Sequence, residues 1–320
     1  MSIKGFIQGT LLGCLAATVV TQAAVADGYP SKPIKLIVPY SAGGGGDTTS
    51  RFIADLASDI MGVKVIVENK TGGGATIGIG AVAKAKNDGY TSGFISTSPI
   101  TIRPHFMKMP YKPLEDLTFL GQFVSSPMPV VIRSDSPWKN LGEMMAFAKA
   151  NSGKLRWSTA GQKGGPHMAM LAALEKEGAK TTYIPSKGGA KALANLLGGT
   201  IDMVVISDFA APLAAGKVRI IAETTPTRST FAPDAPTLAE EGYPLSPAIF
   251  FGLAGPAGLS KEVTDKWDAT LSQIMKSPKF IDLLKRLKAT PKYLNSADFT
   301  KAVYADYAAA GKVLSEVKFK

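Results

Sequence analysis

From Ile34 the chain alternates short apolar runs with stretches of helical pattern. IKLIVPY leads into a glycine-rich turn and the helical TTSRFIADLASDIM; VKVIVEN leads into a second such turn and TIGIGAVAKAKN. Strand, turn and helix in this order predict a parallel sheet with crossover helices, so the fold class is α/β. The strands Ile34 to Val38 and Val63 to Val67 are almost continuously apolar, as expected of strands covered on both faces.

A second block repeats the logic. PVVIRSDSPW, NLGEMMAFAKANSG, KLRWSTAG, a GQKGGPH turn, MAMLAALEKEG, TTYIPSKGG, AKALANLLGG, IDMVVISD and VRIIAETT follow one another. After the turn-rich RSTFAPDAPTLAEEGYP come the apolar AIFFGLAGP and a tail from Ser260 that reads as helical. No fixed-period repeat interrupts this plan, which excludes a solenoid. Two α/β lobes fit best, and 320 residues suffice for both.

Composition narrows the chemistry. An apolar share of 45% excludes most disorder, and two His with a single Cys exclude a Cys/His zinc site and an internal disulfide. Residues 1–26 carry Lys4, an apolar run to about Val20 and the small-x-small triplet Ala24-Val25-Ala26, the pattern of a secretory signal peptide. The run is short and broken by Gln8 and Thr10, which argues against a membrane anchor; Cys14 stands too early for a lipoprotein site. Cleavage after Ala26 removes the only cysteine and leaves a soluble exported chain. The formal charge of +11 then argues less for nucleic acid than for long-range attraction of small anions. Part of the surplus, 12 Lys/Arg against 7 Asp/Glu, lies between Lys261 and Lys320, away from the glycine-rich turns.

Four such turns follow predicted strands: Tyr40 to Asp47, Thr71 to Ala75, Thr159 to Gly165 and Ser186 to Gly189. Glycine lets the backbone approach a ligand, and free N–H groups at the following helix start attract an anion. In open α/β sheets these turns share the carboxyl edge, where ligands bind. Phosphate motifs fail: five residues after Gly43 stands Thr48, which breaks a P-loop, and Ile77 stands where the dinucleotide fingerprint from Gly72 needs glycine. Neither G-x-S-x-G nor H-E-x-x-H occurs. Carboxylate-sized recognition remains.

Individual side chains carry two readings each. Asp47 either caps its helix through the N–H of Thr49 or Ser50 or faces the ligand, and Arg51 reads mainly as its i,i+4 partner. His167, at a helix start after Gly164-Gly165-Pro166, either bonds a ligand or the opposing loop or serves the structure; His105 reads as loop structure. Asp208 follows IDMVVIS and with Asp47 offers a carboxylate pair for acid–base work. Trp138, Trp157 and Trp267 read as packing anchors, Trp157 alone standing near a turn that faces ligand.

The runs YPSKPIKLIVPYSAGGGGDTTSR, VIVENKTGGGATIG, AKNDGYT, LRWSTAGQKGGPH, IPSKGGAKALANLLGGTIDM, VRIIAETTPTRSTFAPDAPTLAEEGYP and FGLAGPAGLSKE extend in order from about Tyr29 to Lys320. Together they resemble the extracytoplasmic substrate-binding proteins of tripartite tricarboxylate transporters, the Bug family. The resemblance implies a monomeric periplasmic binding protein of type II topology. One lobe would be residues 27–125 plus 227–320 and the other 126–226, closing on a small organic acid: a di- or tricarboxylate, an acidic amino acid or an aromatic carboxylate. It implies delivery to two integral-membrane subunits, with no cofactor, metal or catalysis.

By the same matching, one pincer on the ligand is Tyr40, Ser41, Ala42, Gly43 and Gly44. The other runs from Thr159 to Gly165 and includes Gly161, Gln162 and Gly165. Ser98, Lys187 with Gly188-Gly189, and Asp208 would form side walls; Asp47 and His167 stand as ligand-binding candidates on their own positions, apart from this matching. Two turns depart from the usual pattern, PYSAGGGG and AGQKGGPH. Tyr40 offers a stack for an aromatic ligand, whereas Lys163 or Lys187 offers a partner to a second carboxylate, so the ligand stays open. Two rivals are an exported enzyme using Asp47, His167 or Asp208, and a receptor that presents its ligand to a sensor kinase.

Overall fold

The computed structural model describes residues 28–316, and the expected leader with Cys14 lies outside them. In chain order the strands are β1 (Ile34–Val38), β2 (Val65–Asn69), β3 (Thr91–Ser96), β4 (Leu117–Ser125), β5 (Pro129–Arg133), β6 (Arg156–Thr159), β7 (Thr182–Tyr183), β8 (Met203–Val205), β9 (Val218–Glu223), β10 (Phe250–Pro256) and β11 (Thr290–Leu294). The helices are α1 (Gly45–Met61), α2 (Thr76–Ala83), α3 (Leu141–Ala150), α4 (Gly165–Lys176), α5 (Gly189–Leu197), α6 (Ala210–Ala214), α7 (Lys261–Lys276), α8 (Pro278–Leu287) and α9 (Ser296–Glu316).

They build two sheets. One runs β11-β4-β10-β3-β1-β2, the other β7-β6-β8-β5-β9. In the first, β1, β2 and β3 are mutually parallel and β10 is antiparallel to both neighbours. In the second, β6, β7 and β8 are parallel and β5 is antiparallel to both neighbours. In each sheet the first strand after the chain has crossed over from the other, β5 or β10, thus runs antiparallel to both its neighbours. The crossings lie between Ser125 and Pro129 and between Glu223 and Phe250.

The expected classes hold locally for physical reasons. The α3 start uses Asn140, whose side chain accepts from the Glu143 N–H at 2.9 Å while Glu143 accepts from the Lys139 N–H at 2.7 Å, a reciprocal cap. Ser260 caps α7 through the Val263 N–H. Trp267 is wholly buried and donates its indole N–H to the Tyr29 hydroxyl at 3.1 Å; Trp138 packs on Phe147. These two are the anchors expected of them.

Two expectations change. β2 begins at Val65 and is an edge strand whose alternating burial leaves Ile66 and Glu68 exposed on one face; its apolar run is not a strand covered on both sides. The tail from Ser260 is not all helical, because Thr290–Leu294 pairs antiparallel with β4. Pro291 is tolerated there since the strand is an edge.

Candidate functional site

The carboxyl ends of β1, β2 and β3 face those of β6, β7 and β8, and the turns after them enclose a cavity of about 70 Å³. Tyr40, Ser41, Gly44 to Gly46, Gly74, Ser96 to Ser98 and Arg103 line it from one lobe. Thr159 to Gly161, Pro166, Gly189, Ser207 and Asp208 line it from the other, over an apolar floor that includes Phe94, Met128 and Phe251. Outside it opens a cleft of about 410 Å³ whose walls include Gln162, Lys163, Ser186 and Lys187.

The first turn is held from behind by Asp47. This residue is one turn inside α1 and buried; its carboxylate accepts from the Gly43 N–H at 2.9 Å, Asn69 Nδ2 at 2.7 Å and Arg51 Nε at 3.0 Å. Burial would raise its pKa, but the bonds from Arg51, Gly43 and Asn69 hold it below the ordinary range. So Asp47 neither lines the cavity nor accepts from Thr49 or Ser50 as expected of a cap; it ties the turn to α1 and β2. Arg51 is its i,i+4 partner. Tyr40 directs its hydroxyl to Ser96 Oγ at 2.7 Å and sets its ring edge-on to Phe94.

Arg103 dominates the opposite wall. After β3 the chain makes a π-helical turn at Ser98–Ile102 that delivers Arg103 into the interior, where it is 2% exposed. Its Nη1 donates to Gly73 O at 3.0 Å and to Gly74 O, Nη2 donates to Gln162 O, and Nε donates to Lys163 O at 3.1 Å. It therefore bridges the lobes through backbone carbonyls, and among the described residues none of its bonds goes to a carboxylate. Gly74 is needed twice: its φ is +63°, and a β-carbon there would overlap the guanidinium. Two further cross-lobe bonds join Gly165 N–H to Ser98 Oγ at 2.9 Å and Ser41 Oγ to Lys187 O.

His167 sits behind the Thr159–Gly165 turn. Its Nδ1 accepts from the Lys163 N–H at 2.6 Å, and the ring stacks on Tyr183 at 4.2 Å beside Trp157. Burial first, then the Arg103 and Lys163 charges, push its pKa from 6.5 down to about 4, so at neutral pH the imidazole is the uncharged acceptor this bond requires. Trp157 is buried, donates to Thr181 Oγ1 at 3.0 Å and does not line the cavity. His105 packs on Tyr307 of α9, as loop structure.

Asp208 reaches across the cleft. Gly45, at the start of α1, donates its N–H to Asp208 Oδ1, and a β-carbon on Gly189 at the start of α5 would overlap the same carboxylate. Burial pushes its pKa up, against the Gly45 bond. It makes no pair with Asp47, which faces away.

The structure thus brings Tyr40, Ser41, Gly44, Ser98, Thr159, Gly161 and Asp208 to one cavity. Gln162 and Lys187 stand on the outer cleft, Ala42 and Gly43 are exposed on the turn, and Gly165 and His167 support the second turn from behind. Arg103 escaped the sequence reading. Its signal was present: it is the only Lys, Arg, Asp or Glu between Tyr90 and Met107. Gly45 and Gly46, counted with a turn, open a helix whose N-terminus faces the cavity.

Two α/β lobes around a cleft at their strand ends define a two-lobed solute-binding protein. The model of the tripartite tricarboxylate transporter family receptor matches residues 49–319, and the chain belongs to that family. It is a family of solute-binding receptors and not of enzymes. A UPF0065 protein in the gbd 5' region of Cupriavidus necator is 33% identical over 87% of this chain and 85% of its own. The solved periplasmic binding protein BugD is 31% identical, with a TM-score of 0.84 over 90% of this chain and 98% of BugD. The structure of R. palustris Rpa4515 with adipate shares the fold at 24% identity, with a TM-score of 0.81 over 90% of this chain and 97% of that one. Among the described residues no helix is long and apolar enough to cross a membrane.

Proposed function

We propose that this chain is an extracytoplasmic receptor that closes its lobes on a small organic carboxylate and presents it to the membrane subunits of a tripartite transporter. Residues 27–125 with 227–320 form one lobe and 126–226 the other, swinging about the two crossings. The observation that carries the reading is the buried Arg103 guanidinium, without a carboxylate partner among the described residues, at a cavity rimmed by glycine turns and helix starts. The starts of α1 and α5 at the cavity wall, with their backbone dipoles, would complete the anion site without covalent chemistry. The family assignment supports the transport role, and the leader expected at 1–26 supports export.

The test is a thermal-shift and calorimetric screen of the exported protein against C3 to C8 dicarboxylates, citrate, amino acids and benzoates. At about 100 times its Kd a ligand adds about 2.7 kcal/mol, roughly 5 to 10 °C for a protein of this size. A panel in which no organic acid raises Tm would refute the receptor reading. Co-purification with two membrane subunits, rather than with a sensor kinase, decides the partner.

A further inference from the structure

The charges inside the cavity are of both signs. Arg103 lies on one wall, among the carbonyls of Gly73, Gly74, Gln162 and Lys163. Asp208 lies on another, between the starts of α1 and α5. Both line the cavity, yet among the described residues no ion pair joins them: the bonds of Arg103 go to backbone carbonyls and that of Asp208 comes from a backbone N–H. Arg103 is buried and Asp208 partly buried, each with neutral partners only among the described residues; burial disfavours the charged form of both, and a bound counter-ion relieves that.

We propose that the ligand is a small zwitterion, its carboxylate on Arg103 and its ammonium on Asp208, rather than a plain di- or tricarboxylate. The inference rests on the receptor reading above and narrows its ligand class. Four of the five Arg103 N–H groups are held by carbonyls, which leaves one on Nη2 for a charge-assisted bond to a carboxylate, and the Asp208 carboxylate takes an ammonium in the same way. A diacid suits the Asp208 wall less well: its second carboxylate meets either a like charge or a carboxyl that must first take up a proton, and the Gly45 N–H an anion would seek is already held by Asp208. Lys163 and Lys187 stand on the outer cleft, where they attract an anion without entering the cavity.

The experiment uses matched pairs of equal length that differ at one end: succinate against 3-aminopropanoate, glutarate against 4-aminobutyrate, and malonate against glycine, by calorimetry at pH 7. The amino acid is expected to bind more tightly than its diacid in at least one pair. Asp208→Asn should then weaken that amino acid by about 30-fold or more while narrowing its lead over the diacid. Diacids that bind as well or better in every pair overturn the inference and leave the receptor reading standing. If neither series binds, the inference also falls, and the wider screen shows whether the receptor reading falls with it. The wild-type comparison decides even if the variant does not fold.

Discussion

His167 and Glu223 should pull the pH dependence of stability in opposite directions, and single substitutions should separate them. His167 is 5% exposed and its pKa falls from 6.5 to about 4, because burial, Arg103 and Lys163 all disfavour the imidazolium. Between about pH 4 and 6.5 the unfolded chain binds a proton that the folded chain refuses. Stability from this group is therefore complete above 6.5 and lost as pH falls towards 4. Glu223 is fully buried at the second crossing between lobes, where it accepts from Met128 N–H and Thr225 Oγ1, both at 3.3 Å, and from Ser229 Oγ. Burial raises its pKa from 4.5 to about 7 against those bonds, so the folded chain holds the extra proton and stability is lost as pH rises from about 4.5 to 7.

At about 1.4 kcal/mol per pH unit, each effect amounts to about 3 kcal/mol, and over their shared range the two nearly cancel. The assay is urea unfolding at half-unit steps from pH 4 to 7.5 for wild type, His167→Gln and Glu223→Gln. Wild type minus His167→Gln should rise by about 3 kcal/mol with pH, and wild type minus Glu223→Gln should fall by a similar amount. Working with differences removes the contributions of Asp47, Asp208 and the other shifted carboxylates, which all three proteins share. A flat His167 difference curve would refute the account of that ring as a buried neutral acceptor, whatever the absolute stabilities.

Other expectations concern the cavity and its supports. Gly74→Ala, placed at φ +63° and overlapping Arg103, should cost about 1 kcal/mol in backbone strain and more by displacing the guanidinium, so ligand titration should show lost binding in a protein that remains folded by circular dichroism. Arg103→Lys keeps the charge but not the fork that reaches four carbonyls on two lobes; calorimetry should show binding weakened by tenfold or more, and wild-type affinity would remove Arg103 from the site. Asp47→Ala strips the first turn of three bonds, and should lower Tm and affinity together, whereas an affinity loss at unchanged Tm would mean that Asp47 faces the ligand after all. Trp157→Phe loses one bond to Thr181 and some buried area, and should destabilise by about 1 to 2 kcal/mol in denaturant melts without changing which ligands bind.

The sequence by itself determined what short-range pattern can encode. Apolar runs of strand length, glycine turns and helical stretches in strict alternation specify parallel α/β units, and the turns announce where the strand ends gather. Even the Asp47–Arg51 pair is legible, because one helical turn fixes the spacing. Tertiary structure decided which side chains face each other across the cleft. Arg103 and Asp208 are 105 residues apart and on different lobes, and nothing within either local run says that both line one cavity. The same holds for Asp47, turned away from the cavity by Asn69 of a neighbouring strand, and for β11, a polar edge strand formed only because β4 offers it an unpaired side. Local periodicity fixes backbone conformation; the sign and position of charges inside a cleft depend on how two separately folded sheets meet.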